Sequence, residues 1–401
     1  MHKFITGLSL LFLVGLFTAA NGGTVKWSLP VINKATVQRA GDPVSIEKIG
    51  GYSKIAAKLV VWWAGMSEKI PINNGIDLYR ITYLTVDDQQ MLVDVSGLLS
   101  VPRTSTTENV ISWQHGTALN RQQAPSTPTP DEGVLVSLAF SGSGAILLAP
   151  DYIGFGVSKN PHPYYHLPTT VGATRDLLKA AKILFMASGR KFPGNLFLAG
   201  FSQGGHATMA ITRELERAPI TDLKLIAAAS IAGPIDLAGF SFLNSLEGKA
   251  ESASMYLAYI LNSYARIYSH NISDVFREPY DRLIPLLFDG ETAGKDVMAQ
   301  LPRNPKSMLK EAFMSEYPGG KTGWVGQRLS ENALVNWIPK TPLRLYFGTN
   351  DVDVSHTEAL TWSQHWQNEG APALAVNVGP KDHNESVIEA APRIRDWFAE
   401  F

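Results

Sequence analysis

No cysteine occurs in the 401 residues. That absence excludes disulfides, thiolate metal sites, a cysteine nucleophile and a lipid-modified cysteine near the start of the chain, so stability has to come from the packed core. An excess of charge is also missing: 35 Lys and Arg stand against 36 Asp and Glu. With no long basic run, there is no electrostatic footprint for DNA, RNA or an anionic membrane surface, and nucleic acid is not an expected partner. A composition of 45% apolar and 18% charged residues excludes wholesale disorder. Apolar runs long enough to span a bilayer are missing as well. "FITGLSLLFLVGLF" falls short at roughly 14 residues; preceded by "MHK" and followed by "TAANGG", it predicts an export signal cleaved near Ala20 to Gly22. A secreted or periplasmic location is therefore expected. "IAAKLVVWWAG", Ile55 to Gly65, is short and carries Lys58, so it reads as an amphipathic or buried helix.

What the chain does contain alternates. "LYRITYLTVDDQQMLVDVSGLLSVP", Leu78 to Pro102, reads as two β segments reversed at Asp87 to Gln90. Short apolar or β-branched runs follow at Val110–Trp113, Ala145–Ala149, Leu196–Ala199, Leu225–Ile231, Leu343–Phe347 and Leu374–Val378. Runs without polar alternation suit central parallel strands covered on both faces. Helical patterns lie between most of them, at Thr174–Ser188, at His206–Arg217 and near the C-terminus, the last interrupted by Pro392. The arrangement predicts a mostly parallel sheet with helices on both sides. Between Ile231 and Leu343, roughly 110 residues show helices and turns without a convincing strand, far more than a crossover needs, and predict a cap over the sheet. Its richest helix, Met255–Tyr268, is more apolar than one core-facing stripe requires, so Tyr259 and Tyr264 are expected to line a pocket for an apolar chain.

"NLFLAGFSQGGHATMA", Asn195 to Ala210, puts Ser202 at the turn from an apolar strand into a helix. Such a turn exposes the hydroxyl at the sheet edge, and Gly200, Gly204 and Gly205 remove side chains where strand and helix crowd together. A serine hydroxyl needs a base and a group to orient it. Asp351 in "GTNDVDVSH" follows one apolar strand, and His383 in "GPKDHNES" lies in a loop after the next. Both therefore fall at the same sheet edge as Ser202, in the order Ser, Asp, His, with Asp353 as the alternative acid. The N–H of Gln203 is one expected oxyanion donor. Thr117, after "WQHG", is the second, with Gly116 letting the backbone bend inward. His115 reads as a structural hydrogen-bonding residue, and His206 as packed behind the serine. His356 lies too close to Asp351 in sequence to serve as the base. His162 and His166 have an i, i+4 spacing, but the prolines of "NPHPYYHLP" argue against a helix and no carboxylates accompany them, so no metal site is expected.

Taken together, "WQHGT", "APDYIGFGVSKNPHPYYH", "GFSQGGHA", "GTNDVDVS" and "DHNES" resemble the α/β-hydrolase superfamily, most of all its exported lipases and esterases. The resemblance runs from Leu78 to the C-terminus and departs from a common pattern at Ser355, where a proline often follows the acid turn. It implies an eight-stranded, mostly parallel sheet, cofactor-free ester hydrolysis and an acyl-enzyme. The expected organisation is a signal peptide at 1–22, an N-terminal extension at 23–76, a hydrolase core at 77–238 and 341–401, and a helical cap at 239–340. The expected substrate is a small-molecule or lipid ester with an apolar acyl chain, with transient lipid-interface contact through the cap. A serine peptidase of the same fold and a non-catalytic binding protein on that scaffold are the alternatives.

Overall fold

The antiparallel hairpin and the strand–helix alternation build one sheet. The structure is a computed structural model and describes residues 28, 38–66, 68–103, 107–127, 132–316 and 323–401; the expected signal peptide lies outside them. Among the described residues the strands are β1 (Pro43–Tyr52), β2 (Ile76–Val86), β3 (Leu92–Pro102), β4 (Asn109–Gln114), β5 (Ile146–Pro150), β6 (Asn195–Phe201), β7 (Lys224–Ile231), β8 (Leu343–Phe347) and β9 (Ala373–Asn377). They lie in the order β1-β2-β3-β5-β4-β6-β7-β8-β9. The β1-β2-β3-β5 pairings are antiparallel and all others parallel.

The sheet thus has nine strands rather than the expected eight. The additional one, β1, falls in the stretch read as an N-terminal extension. "PVSIEKIGGY" shows no clean alternation because it is an edge strand, with register shifts at Pro43/Ser45 and Lys48/Gly50 and with Glu47 and Lys48 exposed. Bulges and charges of this kind blunt an open edge against pairing with other chains. In the β2–β3 hairpin, Asp87 closes the turn by accepting the N–H groups of Gln89 and Met91, both at 2.9 Å.

The helices in chain order are α1 (Lys54–Trp63), α2 (Glu132–Phe140), α3 (Leu167–Ala187), α4 (Gln203–Arg217), α5 (Phe242–Glu247), α6 (Ala253–Ile267), α7 (Tyr280–Leu287), α8 (Gly294–Gln300), α9 (Glu311–Glu316), α10 (Gly323–Glu331), α11 (His356–Asn368) and α12 (His383–Phe398). The central strands are apolar without alternation because both faces are covered. On β6, Leu196 and Leu198 join a core with α3 and α4, while Phe197 and Ala199 face a second core with α1, α2 and α12. Fully burying a Leu or Phe side chain stabilises the fold by about 1.5–3 kcal/mol, so these two layers carry a chain that has no disulfides.

Helix α12 continues through Pro392, where an interruption was expected. Ile388 loses its amide donor there, yet Ala390, Ala391, Ile394 and Trp397 stay packed on the sheet, and that burial outweighs the missing bond. Helices α5–α10 lie between β7 and β8 and bury a cluster of their own, including Leu257, Tyr264, Phe276 and Leu329, onto which Leu119, Tyr164 and Tyr165 from loops of the sheet also pack.

Candidate active site

Ser202 sits where β6 turns into α4, with φ +56° and ψ −118°. A non-glycine residue in so sparsely populated a region costs about 1–3 kcal/mol and persists only where its surroundings impose it. Here Ser202 N–H donates to the Ile231 carbonyl at 2.8 Å, and Ser202 O accepts from the N–H groups of Gly205 (2.9 Å) and His206 (3.2 Å). The flanking glycines are required by space. A Cβ on Gly204 would strike the Gln114 carbonyl and come within 2.6 Å of His115 O, and one on Gly205 would come within 2.7 Å of Gly233 Cα. Gly116 does not lie in the left-handed region. It leaves room for the Phe201 ring, which an added Cβ would approach at 3.1 Å.

Ser202 Oγ lies 2.9 Å from His383 Nε2, and His383 Nδ1 lies 2.8 Å from Asp351 Oδ2. All three residues are buried. His383 is the first residue of α12 rather than part of a loop, held there by a capping box between Asp382 and Glu385. The carboxylate of Asp351 is fixed from its other side, where Oδ1 accepts the N–H groups of Asp353 and Val354, both at 2.9 Å. Asp353, the alternative acid, instead accepts a hydrogen bond from Ser252 Oγ, while its carbonyl accepts from Asn244 Nδ2 at 3.0 Å. Burial pulls the His383 pKa down, but the hydrogen bond to Asp351 and the charges of Asp351, Asp353 and Asp382 outweigh it, and the net shift is upward. The donor atoms of Asp351, Asp353 and His383 fall within 4.8 Å of one another, but both His383 ring nitrogens are engaged in the hydrogen bonds above.

The N–H groups of Gln203 and Thr117 have no acceptor among the described residues. Gln203 opens α4, whose N-terminal dipole favours negative charge at that point. Thr117 lies in the loop after β4, its hydroxyl 2.9 Å from Tyr164 OH. His115 is held at 2.7 Å from Gly116 O, and its ring lies tilted by 30° against Tyr152, 4.3 Å between centroids.

Beside Ser202 opens a narrow cleft of about 50 Å³, with Tyr164, Tyr165, Leu237 and Phe242 on its walls. From α6 it receives Tyr256, Leu257 and Ile260. The expected Tyr259 and Tyr264 do not line it. Tyr259 is stacked between Tyr164 (4.3 Å) and Phe288 (4.5 Å), and Tyr264 OH donates to Tyr165 O at 3.1 Å. Periodicity marked the helix as having two apolar faces but carried no information on which one faces the serine.

Several residues that shape the site were not singled out from the sequence. Glu358 of α11, 1% exposed, accepts the N–H groups of Ile235 (2.8 Å) and Asp236 (2.6 Å), and so pins the segment that leaves β7 and lines the cleft. His206, which the sequence did single out as packed behind the serine, holds the same segment through Pro234 O at 3.0 Å. Asp151, buried at the end of β5, is bonded by Ser96 Oγ and by both N–H and Oγ of Ser126. Its position directly after "ILLAP" is a signal that could have been used: a carboxylate at the end of a fully buried strand needs partners. His162 and His166 do not converge on one point. The first bonds Ile153 O and Gln203, the second Thr169 Oγ1.

No family model and no curated protein matches the sequence. Solved structures do. A protein from Legionella pneumophila assigned as a hydrolase superposes with a TM-score of 0.82 at 25% identity, over 89% of this chain and 97% of that one. The rice cell wall degrading esterase LipA from Xanthomonas oryzae gives 0.80 at 24%, over 90% and 99%. Candida antarctica lipase A in its closed state gives 0.63 at 15%, over 89% and 83%. The nine-stranded, mostly parallel sheet and these superpositions give one answer: the chain has the α/β-hydrolase fold and resembles an esterase and a lipase that share it.

Proposed function

We propose that this protein is an exported serine carboxylic-ester hydrolase that acts on esters with an apolar acyl chain. The observation that carries the reading is the continuous hydrogen-bonded line Ser202–His383–Asp351 at a strained turn beside an apolar cleft. Ser202 Oγ attacks the ester carbonyl carbon as His383 Nε2 takes its proton, and Asp351 holds the other ring nitrogen and stabilises the imidazolium. Negative charge moves to the carbonyl oxygen, where the free N–H groups of Gln203 and Thr117 receive it. The tetrahedral adduct collapses to an acyl-serine, and the alcohol leaves with the proton from Nε2. Water then enters by the same route in reverse, its proton passing to His383, and the carboxylic acid is released. The apolar leader at residues 4–17 supports export.

The test is a panel of aryl esters of graded chain length beside amino-terminal peptide amides, run on the wild type and on Ser202→Ala. Ester turnover and labelling of Ser202 by an organophosphonate are expected in the wild type and absent in the variant. Amides cleaved faster than esters would turn the reading toward a peptidase.

A further inference from the structure

"NPHPYYH" contributes a second histidine, bonded to the side chain of the residue that follows the nucleophile. His162 is buried in a box of rings, with Phe155 at 4.6 Å, Tyr259 at 5.9 Å, Tyr164 at 6.0 Å and Tyr152 at 6.1 Å. Its Nδ1 lies 2.7 Å from Ile153 O, and a carbonyl can only accept, so Nδ1 carries the proton. Nε2 is therefore bare, and it accepts from Gln203 Nε2 at 2.8 Å. Burial pushes the His162 pKa down to about 3, which keeps the ring in this neutral tautomer at physiological pH.

Gln203 is the residue after the nucleophile, and its side chain is fixed by that one bond, since its Oε1 finds no partner among the described residues. The loop bearing His162 cannot easily shift: Gly154, at φ +97°, packs so closely that an added Cβ would come within 2.7 Å of His162 N and Cα. From above, Ser263 of α6 grips the same loop, donating to His162 O at 3.3 Å while its Oγ accepts Tyr164 N–H at 2.9 Å. We propose that His162 is a positioning residue for the oxyanion site: by holding the Gln203 side chain it sets the direction of the Gln203 backbone N–H. This rests on the serine-hydrolase reading above. Without His162 a buried amide must seek a new partner, and the turn that carries it moves with it.

The side chains available for substitution separate the two hydrogen bonds. In His162→Asn the amide reaches the Nδ1 position and keeps the bond to Ile153 O but not the one to Gln203. In His162→Gln the amide oxygen reaches the Nε2 position and keeps the acceptor. Turnover is measured per active serine, counted by organophosphonate titration, so that unfolded protein does not enter. His162→Asn is expected to lower kcat about 10- to 100-fold with KM little changed, part of the loss seen when an oxyanion donor is removed. Affinity for an aryl boronic acid, which presents an oxyanion, should fall in parallel, and His162→Gln should recover most of both. Gln203→Leu should match His162→Asn, and the double variant should be no worse than either. An unchanged kcat per titrated site in His162→Asn, equal losses in the Asn and Gln variants, or additive losses in the double variant would overturn the proposal. A wild type that neither turns over esters nor labels at Ser202 would instead overturn the reading on which it rests.

Discussion

Replacing Glu358 by Gln should remove a pH dependence from the stability of the protein. The carboxyl is 1% exposed and pushed up to about 8: burial dominates, the Ile235 and Asp236 N–H groups pull the other way, and the Asp236 charge adds to the rise. The unfolded chain returns it to its ordinary value near 4.5. A group whose folded pKa is raised stabilises the fold fully below the unfolded value, and that contribution is lost as pH climbs through the folded one. The window is therefore pH 4.5 to 8. Across it the wild type should lose up to about 5 kcal/mol that an untitratable residue would not lose. Gln keeps an oxygen for the two N–H groups and cannot ionise. Urea unfolding of both proteins at pH 5 and pH 8.5 isolates the effect, because every other titrating group cancels in the difference between them. The wild type should lose several kcal/mol relative to the variant between those pH values. If that difference stays constant within about 1 kcal/mol, the smallest change such measurements resolve with confidence, Glu358 is ionised in the folded protein and the reasoning fails.

Asp351→Asn should lower kcat by about four orders of magnitude through the wrong imidazole tautomer, whereas Asp353→Asn should stay within about tenfold of wild type; stopped assays on one aryl ester rank the two. Since a neutral His383 is the base and its pKa is raised, kcat/KM should rise through an inflection above the ordinary histidine value of 6.5, and Asp353→Asn should move that inflection down. Ile260→Trp should narrow the cleft, sparing acetate esters while removing the roughly fourfold gain that each added methylene brings when buried; a chain-length series of kcat/KM values checks this. Gly204→Ala drives a methyl into the Gln114 carbonyl and should lower Tm sharply, the overpacking costing about 1–3 kcal/mol or more.

Local patterns in the sequence already determined the central strands, because a strand covered on both faces has to be largely apolar without alternation, as the runs Val110–Trp113, Leu196–Ala199 and Leu225–Ile231 in β4, β6 and β7 are. They also determined where a strained serine could stand, because Gly200, Gly204 and Gly205 mark a crowded turn whatever surrounds it. Edge strand β1 was not legible, since half-exposed pairing with two register shifts leaves no period to read. Two aspartates in one turn cannot be told apart by spacing; the tertiary structure turns Asp351 toward His383 and wraps two backbone N–H groups around its other oxygen, while Asp353 faces Ser252. The rotation of α6 is decided likewise, by Tyr164 and Phe288 clamping Tyr259 between them, which leaves Tyr256, Leu257 and Ile260 to face the cleft. His162 acts on Gln203, 41 residues away in the chain, and Glu358 on Ile235 and Asp236, more than a hundred residues away. A periodic pattern reports a residue's neighbours within one element; what a buried polar group bonds across elements exists only once the chain has folded.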